Sequence, residues 1–384
     1  MGALDHWNPV FLSRDLKKKP EAIRVDGRDL VLFRTSDGTV GALNDSCLHR
    51  RMKLSCGRVN DDRLVCPYHG WTFGKCGDGE SPGTPKMHAQ AVSYDVREEH
   101  GVVWLKTAGV EATFPEFKPK GYYQLCASKF VAEAPLELAL DNFSELEHSA
   151  STHVLFGYDL ERLPEMKMTV RADERNTYVV TTGPHKKMHW LPKLLMGLKT
   201  DGEFTSDWTT HFSPVYSIFD HTIVDADTRK PAKVQWRLCV FLTPIDAMNT
   251  RLTVIVFTKS SYPGPNGGIR LVKPILTRMF ESEINLDLVI LKDISDKNPA
   301  LTGMKLGRYD KVLALNRERI NRIYRGLDTP VTIDGKRDER APSDAATPTN
   351  DGTYIDGSGP TIVSGVKLAP PERVASAAAA NSQA

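Results

Sequence analysis

Short apolar runs broken by glycine and aspartate fill the first hundred residues. Residues 23–25 and 30–33 flank Asp26-Gly27, and Ser36-Asp37-Gly38 separates the second run from residues 40–43. The pattern recurs around His100-Gly101, between residues 91–96 and 102–105. Runs this short with turn residues between them predict antiparallel hairpins. Pro115, Pro119 and Gly121 punctuate a linker. Beyond it the period lengthens. A helix is predicted from near Pro135 through His148, then strands over 166–170, 178–182, 209–224, 233–243 and 250–258. A long helix is predicted over 270–294, with apolar Val272, Ile275, Met279, Leu286 and Ile290. Its Pro274 falls in the first turn, where proline is tolerated. A last helix covers about 308–325. The expected class is α+β: an all-β unit over 1–113, then a sheet flanked by helices over 114–327. Over 328–384 Pro, Gly, Ser, Thr, Asp and Ala dominate, so a disordered tail is expected.

Composition narrows the classes. The 384 residues suit about two domains. Fifty Lys+Arg against 48 Asp+Glu leave a net charge of +2, with no basic block for a nucleic acid. No window approaches about 18 consecutive apolar residues, so no membrane span is expected. The start lacks a basic segment followed by an apolar run, and His6 weakens a myristoylation reading of Gly2. A cytoplasmic setting is the expectation. Six cysteines are too few for a disulfide scaffold and enough for a metal site.

Two of them have partners at a telling spacing. Cys47-Leu48-His49 is followed after 16 residues by Cys66-Pro67-Tyr68-His69. Two Cys and two His could hold zinc. Zinc sites, however, usually pair like ligands in each loop. One Cys and one His per loop suits a [2Fe–2S] cluster with thiolates on one iron and imidazoles on the other. Cys56, Cys76, Cys126 and Cys239 have no such spacing and read as ordinary thiols.

A second constellation is Asp141-x3-Glu145-x2-His148-x4-His153. His148 and His153, at i and i+5, do not share a helical face; a helix that loosens or ends between them brings the imidazoles together. Two His and a carboxylate with open positions are the donor set of non-haem Fe(II) oxygenases.

CLHR and CPYHGW resemble the two cluster loops of the Rieske domain, over about residues 7–107. The His148/His153 run resembles the catalytic domain of the Rieske non-haem iron oxygenases, terminal (alpha) component. That resemblance implies a helix-grip catalytic domain, a [2Fe–2S] cluster on Cys47, His49, Cys66 and His69, and Fe(II) on His148, His153 and an Asp from a late helix. Asp287 fits the last position; Asp293, Glu281 and Glu283 compete. It also implies a carboxylate linking an iron-ligand His to His69 of the next subunit. Glu145 stands where the family usually has Asp, and Glu147 is its runner-up. Asn142 is a neighbour of the iron site or a helix cap.

Implied partners are a ferredoxin or flavin reductase using NAD(P)H, O2, a small aromatic or cyclic substrate, and like chains in a homotrimer. Hydroxylation or oxidative dealkylation is the leading activity. Cis-dihydroxylation, oxidative cyclisation and N-oxygenation share the iron site, and an electron or ligand carrier without oxygenase activity is the other class. Phe143, Leu155, Phe156, Val240, Phe241 and Val256 are candidate pocket residues. The apolar and basic stretch 188–196 reads as an entrance lid. His185, His189, His211 and His221 lack ligand spacing and read as structural, or as substrate contacts near the lid.

Overall fold

Asp26 and Gly27 both take positive φ, 48° and 76°, as a two-residue hairpin turn requires. In the computed structural model they join Glu21–Val25 to Arg28–Arg34, and Val40–Asn44 completes a three-stranded antiparallel sheet. His100 and Gly101 do the same between Tyr94–Glu99 and Val102–Thr107, which pairs with Asn8–Leu12. A third sheet has five short strands: Arg58–Asn60, Arg63–Val65, Thr72–Phe73, Asp78–Ser81 and Thr84–Gln90. Apolar patterning gave little sign of these; Thr84–Gln90 is polar and almost wholly exposed.

The structure describes residues 2–263 and 265–327. Beyond them only the backbone of four short strands is described, at Thr332–Ile333, Lys336–Arg337, Thr353–Ile355 and Ile362–Val363. The expected disordered tail over 328–384 otherwise lies outside the described residues.

The second half is built on one antiparallel sheet. Its long strands run in the order Tyr123–Ala132, Asn249–Ser260, Val234–Asp246, Val215–Val224, Glu203–Phe212, Asn176–Pro184, Lys167–Ala172. The stretch 209–224, read as strand, is a hairpin of two strands turning at Ser213-Pro214. Among the described residues five α-helices accompany the sheet: α1 (Leu136–Asn142), α2 (Glu147–Ser151), α3 (Trp190–Met196), α4 (Ile269–Asp293) and α5 (Lys311–Arg319). The long α4 lies along Tyr123–Ala132 and buries Ile269, Ile284 and Leu291 in the main core. The helix expected through His148 breaks instead over residues 143–146. The one expected over 308–325 becomes a π turn at Ile320–Tyr324.

The segment read as a linker does more than connect. Phe117 is buried against Trp104 of the first half and Phe241 and Phe257 of the second, with ring centroids 5.0–6.0 Å apart. Apolar burial of this kind, about 25 cal/mol per Å2, ties the two halves together.

Candidate metal centres

Each Cys-x-x-x-x loop of the first half closes on itself. Cys47 N donates to Met52 O at 2.8 Å, and Arg51 N donates to Cys47 O at 2.8 Å. Cys66 N donates to Trp71 O at 2.7 Å, and Gly70 N donates to Cys66 O at 3.2 Å. The fifth residue is left-handed in both, with φ 59° at Arg51 and 69° at Gly70. The same fold of backbone therefore occurs twice, and the two copies face each other. Cys47 and Cys66 are buried, 1% and 2% exposed, and their side chains are within hydrogen-bonding reach. Burial raises the Cys47 thiol above its ordinary value. The imidazoles of His49 and His69 are exposed, with centroids 4.6 Å apart, and His49 stacks on Trp71 at 5.3 Å. Two sheltered sulfurs facing two surface imidazoles fit a [2Fe–2S] cluster bound by two Cys and two His.

The second group is assembled from further apart. The break over 143–146 is held from α5. Arg317 clamps Asp141 with both terminal nitrogens, at 2.7 and 2.5 Å, and Asn316 Nδ2 donates to Ser144 Oγ at 3.0 Å. Glu145 leaves the break toward α2, where its Oε1 lies 2.6 Å from His148 Nδ1. His148 Nε2 is thereby left to face Asp287. His153 lies just past the end of α2. Its Nε2 and that of His148 each lie 3.5 Å from Asp287 Oδ1. Ligand atoms of the three residues all lie within 4.8 Å of one another. Asp287 is 1% exposed, and its Oδ1 is buried without a hydrogen-bond partner. Burial pushes its carboxyl up, and His153, His148 and Asn142 pull against that. At His148 burial works to lower the imidazole, but the hydrogen bond and charge of Glu145 and the charge of Asp287 raise it overall. A buried oxygen without a partner needs an explanation. Two imidazoles and one carboxylate converging on it fit a divalent iron.

Two competitors of Asp287 lie elsewhere: Glu281 accepts from Ser128 Oγ at 2.6 Å, and Asp293 is exposed. Glu147, the runner-up to Glu145, is exposed as well. Glu283, one turn before Asp287, is buried in the site. It accepts from Val154 N and Leu155 N at 3.2 and 3.3 Å, and stands 3.4 Å from His153 Nδ1.

Comparison with known proteins agrees with both halves. Residues 6–98 match the Rieske [2Fe-2S] domain family. Over 156 residues the chain is 35% identical to chlorophyllide a oxygenase of Oryza sativa subsp. japonica, covering 38% of this chain and 28% of that one. It is 31% identical over 162 residues to the phthalate 4,5-dioxygenase oxygenase subunit of Pseudomonas putida, covering 38% and 37%. The matches thus span about a third of these relatives' length. The fold extends the likeness. Dicamba monooxygenase bound to 3,6-dichlorosalicylic acid superposes with a TM-score of 0.69 at 19% identity, over 83% of this chain and 96% of that one.

The chain carries a Rieske [2Fe-2S] domain, and it shares the overall fold of dicamba monooxygenase.

Beside the three candidate iron ligands lies a cavity of about 110 Å3. At ~10–15 Å3 per water in this measure, it has room for a molecule of one or two rings. Its wall is mostly aromatic: Phe143, Phe156, Phe204, Phe219, Trp236 and Phe280. Phe143 and Phe156 were legible as candidates. Val240, Phe241 and Val256 are instead fully buried in the core, and Leu155 is not on the wall. The expected lid stretch carries α3, whose Trp190, Leu194 and Leu195 are more than 60% exposed.

The sequence marked Glu283 only as a competitor of Asp287 and His221 only as structural or a substrate contact near the lid, and it gave no signal for Lys186. Glu283 looked like a solvated helix position. Lys186 caps the end of α2, donating from Nζ to Ser149 O at 3.0 Å and to His153 O. His221 sits on the cavity wall between two phenylalanines. The register of the sheet brings His221 to the iron side, Lys186 lies just past the strand Asn176–Pro184, and neither has a local motif.

Proposed function

We propose that the chain is the terminal oxygenase component of a multi-protein system. It would take electrons from a separate reductase or ferredoxin that uses NAD(P)H, and use O2 to hydroxylate or oxidatively dealkylate a small aromatic or cyclic molecule. The observation that carries this reading is the His148, His153 and Asp287 group opening onto an aromatic cavity, in a chain that also carries the Rieske loops. A carrier of electrons alone would need neither the group nor the cavity.

In this reading Cys47, His49, Cys66 and His69 hold the [2Fe–2S] cluster, and His148, His153 and Asp287 hold Fe(II). The imidazole-ligated cluster supplies electrons at roughly −150 to +300 mV, and the ferrous site supplies open positions for oxygen activation. The remaining work falls to the protein. Glu145 fixes the ring and tautomer of His148 through Nδ1. Glu283 and Lys186 hold the turn that carries His153. The aromatic wall limits water around the substrate. No described helix is long and apolar enough to cross a membrane.

Glu145 is also the candidate link to His69 of a neighbouring subunit in a homotrimer. Its carboxylate is 22% exposed, so its outer side is open to a partner. The six cysteines are all free thiols, which suits a reducing cytoplasm.

Iron and sulfide analysis tests the reading. About three irons and two labile sulfides per chain are expected for an oxygenase, about two irons for a carrier. His148→Ala should remove one iron and the oxygenated product while leaving the cluster spectrum. Two irons in the wild type, with unchanged activity in His148→Ala, would sink it.

A further inference from the structure

The wall of the cavity has few free polar groups. Ser149 Oγ donates to Leu146 O, Tyr158 OH pairs with Thr181, Glu145 holds His148, and Glu283 accepts from two backbone N–H groups. His221 is different. It lies on Val215–Val224, opposite Ser206 on one side and Trp236 on the other. Its ring is stacked between Phe204 (5.3 Å, 15°) and Phe219 (5.9 Å, 7°). These stacks fix the ring plane.

The two ring nitrogens are not equivalent. Nδ1 is sealed in protein with no hydrogen-bond partner. A proton there would be a buried orphan donor, the rarer and costlier arrangement. The proton therefore sits on Nε2, the nitrogen left open. Burial also pushes this imidazole down to about 4, so the ring is neutral. His221 thus offers one uncharged N–H donor in an aromatic pocket.

Charge limits what it can receive. No lysine or arginine lines the cavity among the described residues, whereas Glu145, Glu283 and Asp287 do. Three carboxylates outnumber the two charges of a ferrous ion. A carboxylate substrate would find no counter-charge on the wall, while an uncharged oxygen acceptor would find a donor.

We propose that His221 is a specificity-determining residue whose Nε2–H binds an uncharged carbonyl or ether oxygen on a small, flat, otherwise apolar substrate. This rests on reading the cavity as the substrate site.

The test measures binding to the anaerobic full-length holoenzyme by equilibrium dialysis. The probes are acetophenone, its isostere α-methylstyrene (CH2 in place of the carbonyl oxygen), and benzoate. Wild type should bind acetophenone about 5–10-fold more tightly than α-methylstyrene, as one neutral hydrogen bond of ~1 kcal/mol gives, and benzoate most weakly. His221→Phe keeps the ring stack and should bring the first ratio to about one. His221→Asn, which retains a donor, should restore part of it. An unchanged ratio in His221→Phe overturns the proposal. So does a wild type that binds benzoate best, binds both neutral probes equally, or binds none. Should His221→Phe fail to fold, His221→Leu, which also lacks a donor, takes its place with the same pair of neutral probes. Dialysis needs no turnover, so failure here is separable from failure of the oxygenase reading, which iron content and product formation decide.

Discussion

Cys47 and Cys66 each open a five-residue loop that its own backbone closes, whereas His148, His153 and Asp287 come from α2, the turn after it, and α4. In the first case the ligand spacing and the loop geometry are the same short stretch of chain. In the second, residues far away in sequence hold the ligands: Arg317 and Asn316 fix the break before α2, Lys186 its end, and Glu283 the turn carrying His153. A local site should resist changes elsewhere in the fold. A dispersed site should fail when a remote support is removed.

The largest effect should come from Arg317→Met. The Arg317–Asp141 pair is almost fully buried, its side chains 8% and 13% exposed. Removing one partner strands a buried carboxylate, which costs about 3–5 kcal/mol. The second half should melt first and lose the iron at His148 and His153. The cluster absorbance should survive to a higher temperature. Simultaneous loss of both would refute the contrast between the sites, and would point to the packing around Phe117 as a shared unit of stability.

Next comes Glu145→Gln. The amide can still meet His148 Nδ1 but carries no charge. Both metal centres should be retained, while single-turnover electron transfer to the iron should slow by roughly 10–100-fold, the usual reach of a group supporting a metal-bound His. Unchanged single-turnover kinetics would remove Glu145 from the link between centres. Glu283→Gln should act more weakly and on binding rather than transfer. An amide oxygen is a poorer acceptor for Val154 N and Leu155 N, and iron affinity should fall about 10-fold, read by competition with a chelator. Equal affinity would leave Glu283 a purely structural helix residue.

The same contrast explains what was legible in the sequence. The cluster loops were readable residue by residue because neighbours in the chain make the site. His148 and His153 were readable as a pair only through the helix that had to end between them, and the structure ends α2 between them. The break over 143–146 was not readable, because helical propensity there is overridden by Asn316 and Arg317 from α5. Asp287 was found by its place on a helix, but nothing separated Glu283 from a solvated acid. His221 stood among other histidines, and only strand register puts it, rather than His211, on the cavity wall. The hairpins at Asp26-Gly27 and His100-Gly101 were legible because turn chemistry is local.

The smallest effect tests whether the two cluster loops are equivalent. Their fifth residues share a left-handed backbone, but one is Gly70 and the other Arg51. A Cβ at Gly70 would meet only Pro82 Cγ, at 3.7 Å, which is ordinary contact. Gly70→Ala therefore introduces no clash, and its cost is backbone strain alone, ~1–2 kcal/mol. The stiffer unfolded chain returns ~0.4–1 kcal/mol, leaving a net loss of about 1 kcal/mol. Arg51→Gly runs the same two terms in reverse, so relief of strain should outweigh the added unfolded-state entropy and stabilise the first half by up to about 1 kcal/mol. Thermal melts followed at the cluster absorbance would read both shifts. A Gly70→Ala loss well above this estimate would mean that the second loop needs its glycine for something other than φ, such as the close approach of another chain to His69.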